Sequence, residues 1–237
     1  MQPLNSLQQA AGTGRNMQEY LEVTGIVLKQ SPVKEYDRVI TLLTRERGKI
    51  SVFANGARKP GNRFTAATNA FAFGSFRVYE GKKYYTLAGV DIRNYFEEFR
   101  TDIVGACYGA YFAEFADYYA QENNDETEVL KLLYLSLRAL TNEHLPDELV
   151  RRVFECKILI VNGEFPGVPT DMQLAPATVQ TLEFIRDTPS ERLYTFTVSD
   201  TVLGELGRIC DENRRKIVGR AFKSLEEIGR ASCRERV

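Results

Sequence analysis

The sequence has few of the residues that bind metals or transfer protons. Its 237 residues include one histidine and four cysteines. The cysteines, at positions 107, 156, 210 and 233, are widely spaced and form no Cys-x-x-Cys pair, which argues against both a zinc site and a disulfide framework. Cys107 and Cys156 fall on apolar faces of predicted helices, where cysteine packs as a small hydrophobic residue. His144 precedes a predicted helix without an acid or base partner, so we expect a surface residue rather than a catalytic base or a ligand.

Long apolar runs and nucleotide-binding motifs are also missing. No segment approaches the roughly 18 apolar residues that a membrane-spanning helix needs, and the first residues lack the charged start and apolar core of a signal peptide. The sequence contains no P-loop, no Gly-x-Gly-x-x-Gly motif and no serine elbow. These absences favour a cytoplasmic protein that is neither a membrane protein nor an enzyme and that uses no cofactor.

Charge is distributed unevenly along a chain whose net charge is −1. Residues 17–94 contain 13 Lys and Arg against 7 Asp and Glu, a balance of +6, whereas residues 95–227 contain 14 against 24, a balance of −10. The basic front part is suited to bind a polyanion, and the acidic rear part as a whole repels one. The sequence therefore predicts two domains with different partners.

The front part of the chain is typical of a series of short β-strands. Segments rich in β-branched and aliphatic residues occupy residues 21–30, 38–44 and 49–54, and Ser31-Pro32 predicts a break after the first. Two further segments, at 70–79 and 84–91, flank a hairpin turn. Gly74 and Gly89 lie inside them, where glycine marks bulges that let a sheet curl. Five such strands predict a small closed barrel of the OB-fold type, which commonly binds nucleic acids.

From Tyr95 onwards the apolar residues change to helical spacing. Ser199 and Asp200 form a capping signal for the fifth of six predicted helices. The helices are predicted at 95–118, 127–140, 147–161, 175–187, 200–213 and 214–227, with a short β-like run at 193–198. We therefore expect a multi-domain α+β protein, with an OB-fold barrel over residues 17–94 and an all-α helical domain over residues 95–227.

The two ends of the chain are expected to lie outside the folded protein. Residues 1–16 are polar, contain glycine and lack periodicity, which is typical of a disordered leader, and Met17 is a candidate for the true start. The last ten residues, 228–237, match one translated frame of a common sequencing adapter. We therefore expect the natural sequence to be cut short near Glu227 or Ile228, so that Cys233 and the terminal arginines carry no function.

The candidate nucleic-acid contacts are basic residues on or beside the turns of the predicted barrel. Cations along a groove neutralise successive phosphates, and aromatic rings beside them stack on bases; a solvated basic face is the alternative. Phe64, in the basic loop, is the expected stacking residue and Tyr36 a further candidate, whereas Phe53 is expected in the core. Lys82 and Lys83 lie at a hairpin tip, where they either contact the backbone or discourage edge pairing. The full set is Arg38, Arg45, Arg47, Lys49, Arg58, Lys59, Arg63, Phe64, Lys82 and Lys83.

Three segments, in this order, resemble one protein family. DRVITLLTRERGKISVFANGARKPGNRF at Asp37–Phe64 resembles the N-terminal signature of RecO, the bacterial recombination mediator. FECKILIVNGEFP at Phe154–Pro166 and AFKSLEE at Ala221–Glu227 resemble a helix end and the closing stretch of the same family. The resemblance spans residues 17–227.

This resemblance implies an OB-fold domain followed by a helical domain in a cytoplasmic, nucleoid-associated bacterial protein. It implies binding of single- and double-stranded DNA, annealing of complementary strands and partnership with RecR. It also implies contact with the C-terminal tail of the single-strand binding protein, through which RecA is loaded onto coated DNA.

The resemblance also bears on metal and partner sites. Many members carry a four-cysteine zinc site after the Gly-x-x-Pro segment, but residues 162–193 contain no cysteine, so no metal is expected here. An acidic partner tail that ends in an apolar residue needs a hydrophobic pocket rimmed by cations. Arg151, Arg152 and Lys157 on the third helix are the expected rim, and an ordinary charged surface is the alternative.

The leading interpretation is a non-catalytic DNA-binding recombination mediator that acts in double-strand-break and gap repair. The alternative is an OB-fold adaptor that binds proteins and no nucleic acid, because the same fold hosts both functions. A nuclease is a third interpretation, disfavoured because no carboxylate cluster lies among the basic residues.

Overall fold

The computed structural model describes residues 20–169 and 172–234. Within this part of the chain, five strands close into a barrel in the order β1-β2-β3-β5-β4. The predicted OB-fold barrel followed by a helical region is confirmed. The predicted leader and the last three residues of the predicted tail lie outside the described residues. The strands are β1 Leu21–Val33, β2 Asp37–Thr44, β3 Gly48–Ala54, β4 Phe73–Tyr79 and β5 Tyr85–Asn94.

Alternation of buried and partly exposed residues builds the barrel interior. Every second residue of β3 from Gly48 to Ala54 is buried, as expected for a strand with one face on a core. Val23 of β1 and Phe76 of β4 are fully buried in the same cluster as Val52. Burying each such side chain contributes about 1.5–3 kcal/mol, so the barrel has a hydrophobic core of its own.

The predicted bulges are confirmed, and they show how the sheet closes. The pairing of β4 with β5 shifts register next to Gly74 and again opposite the segment that holds Gly89. A Cβ atom at Gly74 would lie 2.2 Å from the carbonyl oxygen of Asp91. Only glycine lets the two backbones approach so closely at this bend.

The predicted break at Ser31-Pro32 is wrong, because β1 continues to Val33. β1 pairs with β4 only over Leu21–Ile26, whereas it pairs with β2 as far as Val33. The last part of β1 is therefore an edge, where the missing N–H of proline costs no ladder hydrogen bond. As a result, the β1–β2 hairpin extends beyond the part of β1 that pairs with β4, and its turn at residues 34–36 lies in this extension.

The rest of the described chain is mainly helical, as predicted. The long helix predicted from Tyr95 begins only at Ile103, because a 3₁₀ turn at Glu97–Arg100 precedes it. A short helix also forms within the basic loop after β3. The helices are α1 Phe64–Ala67, α2 Ile103–Tyr119, α3 Thr127–Leu140, α4 Asp147–Val161, α5 Pro176–Asp187, α6 Asp200–Asn213 and α7 Lys223–Arg234.

Two predictions for the rear part are wrong. The β-like run at 193–198 forms no strand, because its apolar residues, among them Leu193 and Phe196, pack against the helical core and not in a sheet. The predicted sixth helix is divided: Arg214–Val218 form a π-helical turn that ends at Gly219, whose φ is 59°. α7 then starts at Lys223 and runs past the predicted end of the natural sequence.

Aromatic residues of α2 form the centre of the helical region. The ring of Phe112 stacks on Phe154 of α4 with ring centres 4.3 Å apart. A Cβ atom at Gly109 would lie 3.0 Å from Cδ2 of Leu137 on α3. The absence of a side chain at Gly109 therefore lets α2 and α3 pack closely.

A continuous core and a polar joint connect the barrel to the helical region. The carboxylate of Asp117 on α2 lies 2.8 Å from the ammonium group of Lys29 and 3.3 Å from that of Lys49. The buried helical cluster also includes the barrel residues Ile26, Leu28 and Leu43. The two parts therefore pack as one body.

We expect Asp117→Asn to make stability less sensitive to acid. Although burial by itself raises the pKa of Asp117, its hydrogen bonds and attraction to Lys29 and Lys49 outweigh burial and lower that pKa. A lowered pKa stabilises the folded state above the unfolded value, about 3.9, and this stabilisation is lost as pH falls through the folded value. Urea unfolding at several pH values below about 6 should show a steeper loss of stability in the wild type than in Asp117→Asn. Parallel curves for the two proteins, with the exposed Asp91→Asn as control, would contradict this.

Candidate nucleic-acid interface

The predicted nucleic-acid contacts divide between the two ends of the barrel. Arg38 lies at the start of β2 and Arg45 follows its end, and a strand of that length spans about 23 Å. Lys49 and Lys83 line one groove at the second end. The predicted single track of cations therefore forms two groups. The first contains Arg38, Arg58, Lys59 and Arg63, and the second contains Arg45, Arg47, Lys49, Lys82 and Lys83.

The first end presents an ordered basic loop. The carboxylate of Asp37 accepts a hydrogen bond from the Gly56 N–H at 2.7 Å, and the Arg58 N–H donates to the carbonyl oxygen of Tyr36 at 2.9 Å. Gly56 adopts a φ of 64°, a left-handed value that glycine takes without strain. These features join the loop after β3 to the β1–β2 turn. We call the exposed side chains of Lys34, Tyr36, Arg58, Lys59 and Arg63 the basic loop surface.

Buried residues hold this loop against the barrel. Ala57 is fully buried in the barrel core. Nη1 of Arg38 donates to the side-chain oxygens of Thr68 at 2.9 Å and Asn69 at 3.1 Å. Burial lowers the pKa of Arg38, and the charge of Arg58 lowers it further. Arg38 therefore has a positioning role under the loop beside its predicted role as a phosphate contact.

The charges of the basic loop surface are not neutralised within the described residues. In residues 20–169 and 172–234, its four cations have no carboxylate oxygen within 4.0 Å. Arg58 donates to the carbonyl oxygen of Lys34 at 3.5 Å and Arg63 to that of Ala88 at 3.1 Å. These bonds orient the guanidinium groups without cancelling their charge. An ordered loop that carries uncompensated cations is suited to bind phosphates, because little further ordering is needed on binding.

The structure corrects two aromatic predictions. Phe64, the expected stacking residue, is 9% exposed and packs in the barrel core, with the guanidinium carbon of Arg63 4.7 Å from its ring centre. Its apolar ring is buried because the loop folds back on the barrel. Phe53, expected in the core, lies partly exposed on the outer face of β3, since it alternates with the buried Val52 and Ala54.

The second group of cations lies among acidic residues. Arg45 pairs with Glu46 at 3.0 Å, and Lys49 pairs with Asp117 of α2. The nearby groove, of about 310 Å³, is lined by residues of both signs: Lys29, Lys49, Lys83, Asp117 and Glu122. Such mixed charge makes this end a weaker phosphate site than the basic loop surface. Lys82 and Lys83 are exposed at the hairpin tip, as predicted.

Lys34 belongs to the basic loop surface but is not among the contacts predicted from the sequence. The predicted break at Ser31-Pro32 leaves Lys34 in an unassigned connection, whereas the longer hairpin places it in a tight turn with a φ of 53°. The sequence signal that identifies Lys34 as a candidate is its position two residues before Tyr36, in the short segment that precedes the strand starting at Asp37. Turn residues between paired strands project from the end of a sheet, where they are accessible.

The predicted partner-binding rim is wrong. Arg151, Arg152 and Lys157 are 9%, 6% and 7% exposed, so they do not border a surface pocket. Lys157 donates to three carbonyl oxygens at the end of α5, including that of Thr188 at 2.7 Å. The end of a helix leaves such acceptors without intrahelical partners, so this lysine caps α5 from inside the protein. Its burial lowers its pKa.

The two arginines belong to a buried ion network. Arg151 and Arg152 bind the two carboxylate oxygens of Glu155 at 3.0 and 2.8 Å. Arg152 also binds Glu148 at 2.7 Å and Asp211 of α6 at 3.0 Å. Although burial by itself lowers the pKa of Arg152, the carboxylates outweigh it and raise that pKa. The signal for this network is present in the sequence, because acids three and four positions from a base share its helix face.

His144 and Cys156 lie where the sequence predicts them. His144 is exposed, which confirms the predicted surface residue. Cys156 is buried in the helical core as predicted, with its Sγ 3.3 Å from that of Cys210. Among the residues that the structure describes, no group of three or more His, Cys, Asp or Glu is arranged to hold a metal ion. Within the same residues, no helix combines the length and apolar character needed to cross a membrane.

Comparison with known proteins agrees with this architecture. The family description "Recombination protein O N terminal" matches residues 17–96, and "Recombination protein O C terminal" matches residues 100–169. The DNA repair protein RecO of Acetivibrio thermocellus is 25% identical over 241 residues, which cover 88% of this chain and 96% of that relative. The protein of the same name from Symbiobacterium thermophilum is 32% identical over 70% of this chain and 66% of the relative, and that from Bacillus subtilis is 33% identical over 60% and 55%. Since the two matched regions together make up more than half of the sequence, the chain belongs to the RecO family.

Proposed function

We propose that this protein is a non-catalytic recombination mediator that binds the DNA backbone through the basic loop surface. Four exposed cations without carboxylate partners in the described chain, on an ordered loop of an OB-fold barrel, are the observation that carries this proposal. Membership of the RecO family supports a role in DNA repair and recombination, and the relatives bear the name DNA repair protein.

Binding at this surface is mainly electrostatic. Cations that contact phosphates release condensed counterions, so affinity falls steeply with salt. Annealing of complementary strands follows from the same property, because cations reduce the repulsion between two strands while the protein holds them close together. The helical region, with its balance of −10 over residues 95–227, repels DNA and confines it to the barrel.

The proposed partners follow from the family. We propose RecR and the tail of the single-strand binding protein, through which RecA is loaded, as these partners. An annealing assay tests this part of the proposal: the protein should pair complementary strands that carry the single-strand binding protein. If the protein anneals bare strands but not coated strands, the single-strand binding protein is not a partner.

We expect Arg58→Ala combined with Lys59→Ala to weaken binding to a single-stranded oligonucleotide by about tenfold, because each exposed charge contact contributes up to about 1 kcal/mol and about 1.4 kcal/mol corresponds to a factor of ten. Both side chains are exposed, so the fold should be unchanged. Fluorescence anisotropy of a labelled oligonucleotide at low salt measures the loss.

The matched control removes two exposed cations of the helical region, Arg138→Ala and Arg192→Ala, and should leave affinity close to that of the wild type. Equal losses in the two double variants would show that net charge, and not this surface, controls binding. An adaptor that binds only proteins predicts no binding to the oligonucleotide by any of the three proteins.

A further inference from the structure

Tyr36 is an exposed aromatic residue at the tip of the basic loop surface. Tyr36 is 42% exposed. Its backbone is fixed, because its carbonyl oxygen accepts the 2.9 Å hydrogen bond from the Arg58 N–H. The ring is therefore presented to solvent from an ordered turn.

The cations of the loop lie beside this ring. Nζ of Lys59 is 5.7 Å from the ring centre, and the guanidinium group of Arg58 donates to the carbonyl oxygen of Lys34, two residues before the tyrosine. Glu35 is the acidic neighbour, and its hydrogen bond with the Tyr36 hydroxyl raises the pKa of Tyr36 above its ordinary value. A tyrosine hydroxyl is protonated at neutral pH even without this shift, because its ordinary pKa is about 10, so the ring carries no negative charge.

An exposed ring among cations is suited to an unpaired nucleotide, because the base stacks on the ring while its phosphates contact the cations. In a duplex the bases stack on each other, so their faces cannot reach the ring without unstacking. We propose that Tyr36 is a base-stacking residue that gives the basic loop surface its preference for single-stranded over double-stranded DNA. This inference rests on the proposed function, since it requires DNA at this surface.

Three probes of equal length separate stacking from charge: a single strand of thymidines, a duplex, and an abasic sugar-phosphate strand. Tyr36→Ala should weaken binding of the thymidine strand about tenfold and leave binding of the other two unchanged. Tyr36→Phe keeps the ring and should bind like the wild type. Equal losses on the thymidine and abasic strands, or loss in Tyr36→Phe, would overturn the assignment.

A fluorescent reporter gives a second readout. The chain contains no tryptophan, so Tyr36→Trp introduces a single indole at the proposed contact. Its emission should be quenched by the thymidine strand and not by the abasic strand; unchanged emission on saturation with the thymidine strand would contradict stacking. If Arg58→Ala with Lys59→Ala weakens binding while Tyr36→Ala does not, the stacking role fails and the proposed function stands. If the wild type binds none of the probes, the proposed function itself fails.

Discussion

Glu155→Ala is expected to lower the free energy of unfolding by about 3–5 kcal/mol, the usual effect of removing one partner from a buried ion pair. The side chain of Glu155 is 2% exposed and binds both Arg151 and Arg152. It also accepts the hydrogen bond of the Tyr111 hydroxyl at 2.7 Å. Alanine leaves two buried guanidinium groups without the carboxylate that they share and one buried hydroxyl without its acceptor. The network joins α2, α4 and α6, so the substitution should destabilise the whole helical region.

Equilibrium unfolding in urea measures this effect. The control is Glu128→Ala, which removes a surface carboxylate 2.8 Å from Lys131 with a side chain that is 56% exposed; it should cost less than about 1 kcal/mol. Similar losses in the two variants would contradict the buried-network account. If Glu155→Ala does not fold, Glu155→Gln, which retains an acceptor for Tyr111, provides the measurement.

Gly48→Ala is expected to destabilise the protein by about 2–4 kcal/mol. A left-handed backbone is unfavourable for a residue that has a Cβ atom, and that atom also overlaps with neighbouring atoms. Gly48 has a φ of 62°. Its added Cβ would lie 2.2 Å from the carbonyl oxygen of Gln121 and 2.8 Å from that of Asn124. Both oxygens belong to the connection between α2 and α3, so the overlap displaces the joint between the barrel and the helical region.

Gly61→Ala is the matched control for this substitution. Gly61 has a φ of 72°, and a Cβ atom there would meet nothing within 4 Å. It should therefore show only the backbone cost, about 1–2 kcal/mol. Thermal and urea unfolding of both variants measure the difference, and an equal loss in the two would argue against tight contact at the joint.

Much of the architecture follows from periodicity, because a closed barrel and a helix bundle each bury one face of every element. The short β-rich segments and the helical spacing after Tyr95 are visible in the sequence for this reason, and the glycines themselves mark the bends at Gly74 and Gly89. Contacts between distant segments are not visible in the sequence. The edge position of Pro32 in β1 depends on where β4 stops pairing, and the run at 193–198 forms no strand because its apolar residues pack against the helical core.

Contacts between distant segments also decide the structure of the candidate site, and the sequence does not show them. The sequence places Arg58 and Lys59 in a basic loop, but it does not show that the loop folds back and buries Phe64. Nor does charge alone distinguish a cation at the surface from one inside an ion network. The spacing of Glu148 and Glu155 around Arg152 contains that information, but its meaning depends on burial, which tertiary packing decides.

The salt dependence of single-strand binding tests the central claim most directly. The slope of log Kd against log salt should be shallower in Arg58→Ala with Lys59→Ala than in the wild type by about 1.4, since each cation that contacts a phosphate of a single strand contributes roughly 0.7. Arg138→Ala with Arg192→Ala should keep the wild-type slope. Identical slopes in all three proteins would contradict the assignment of phosphate binding to the basic loop surface.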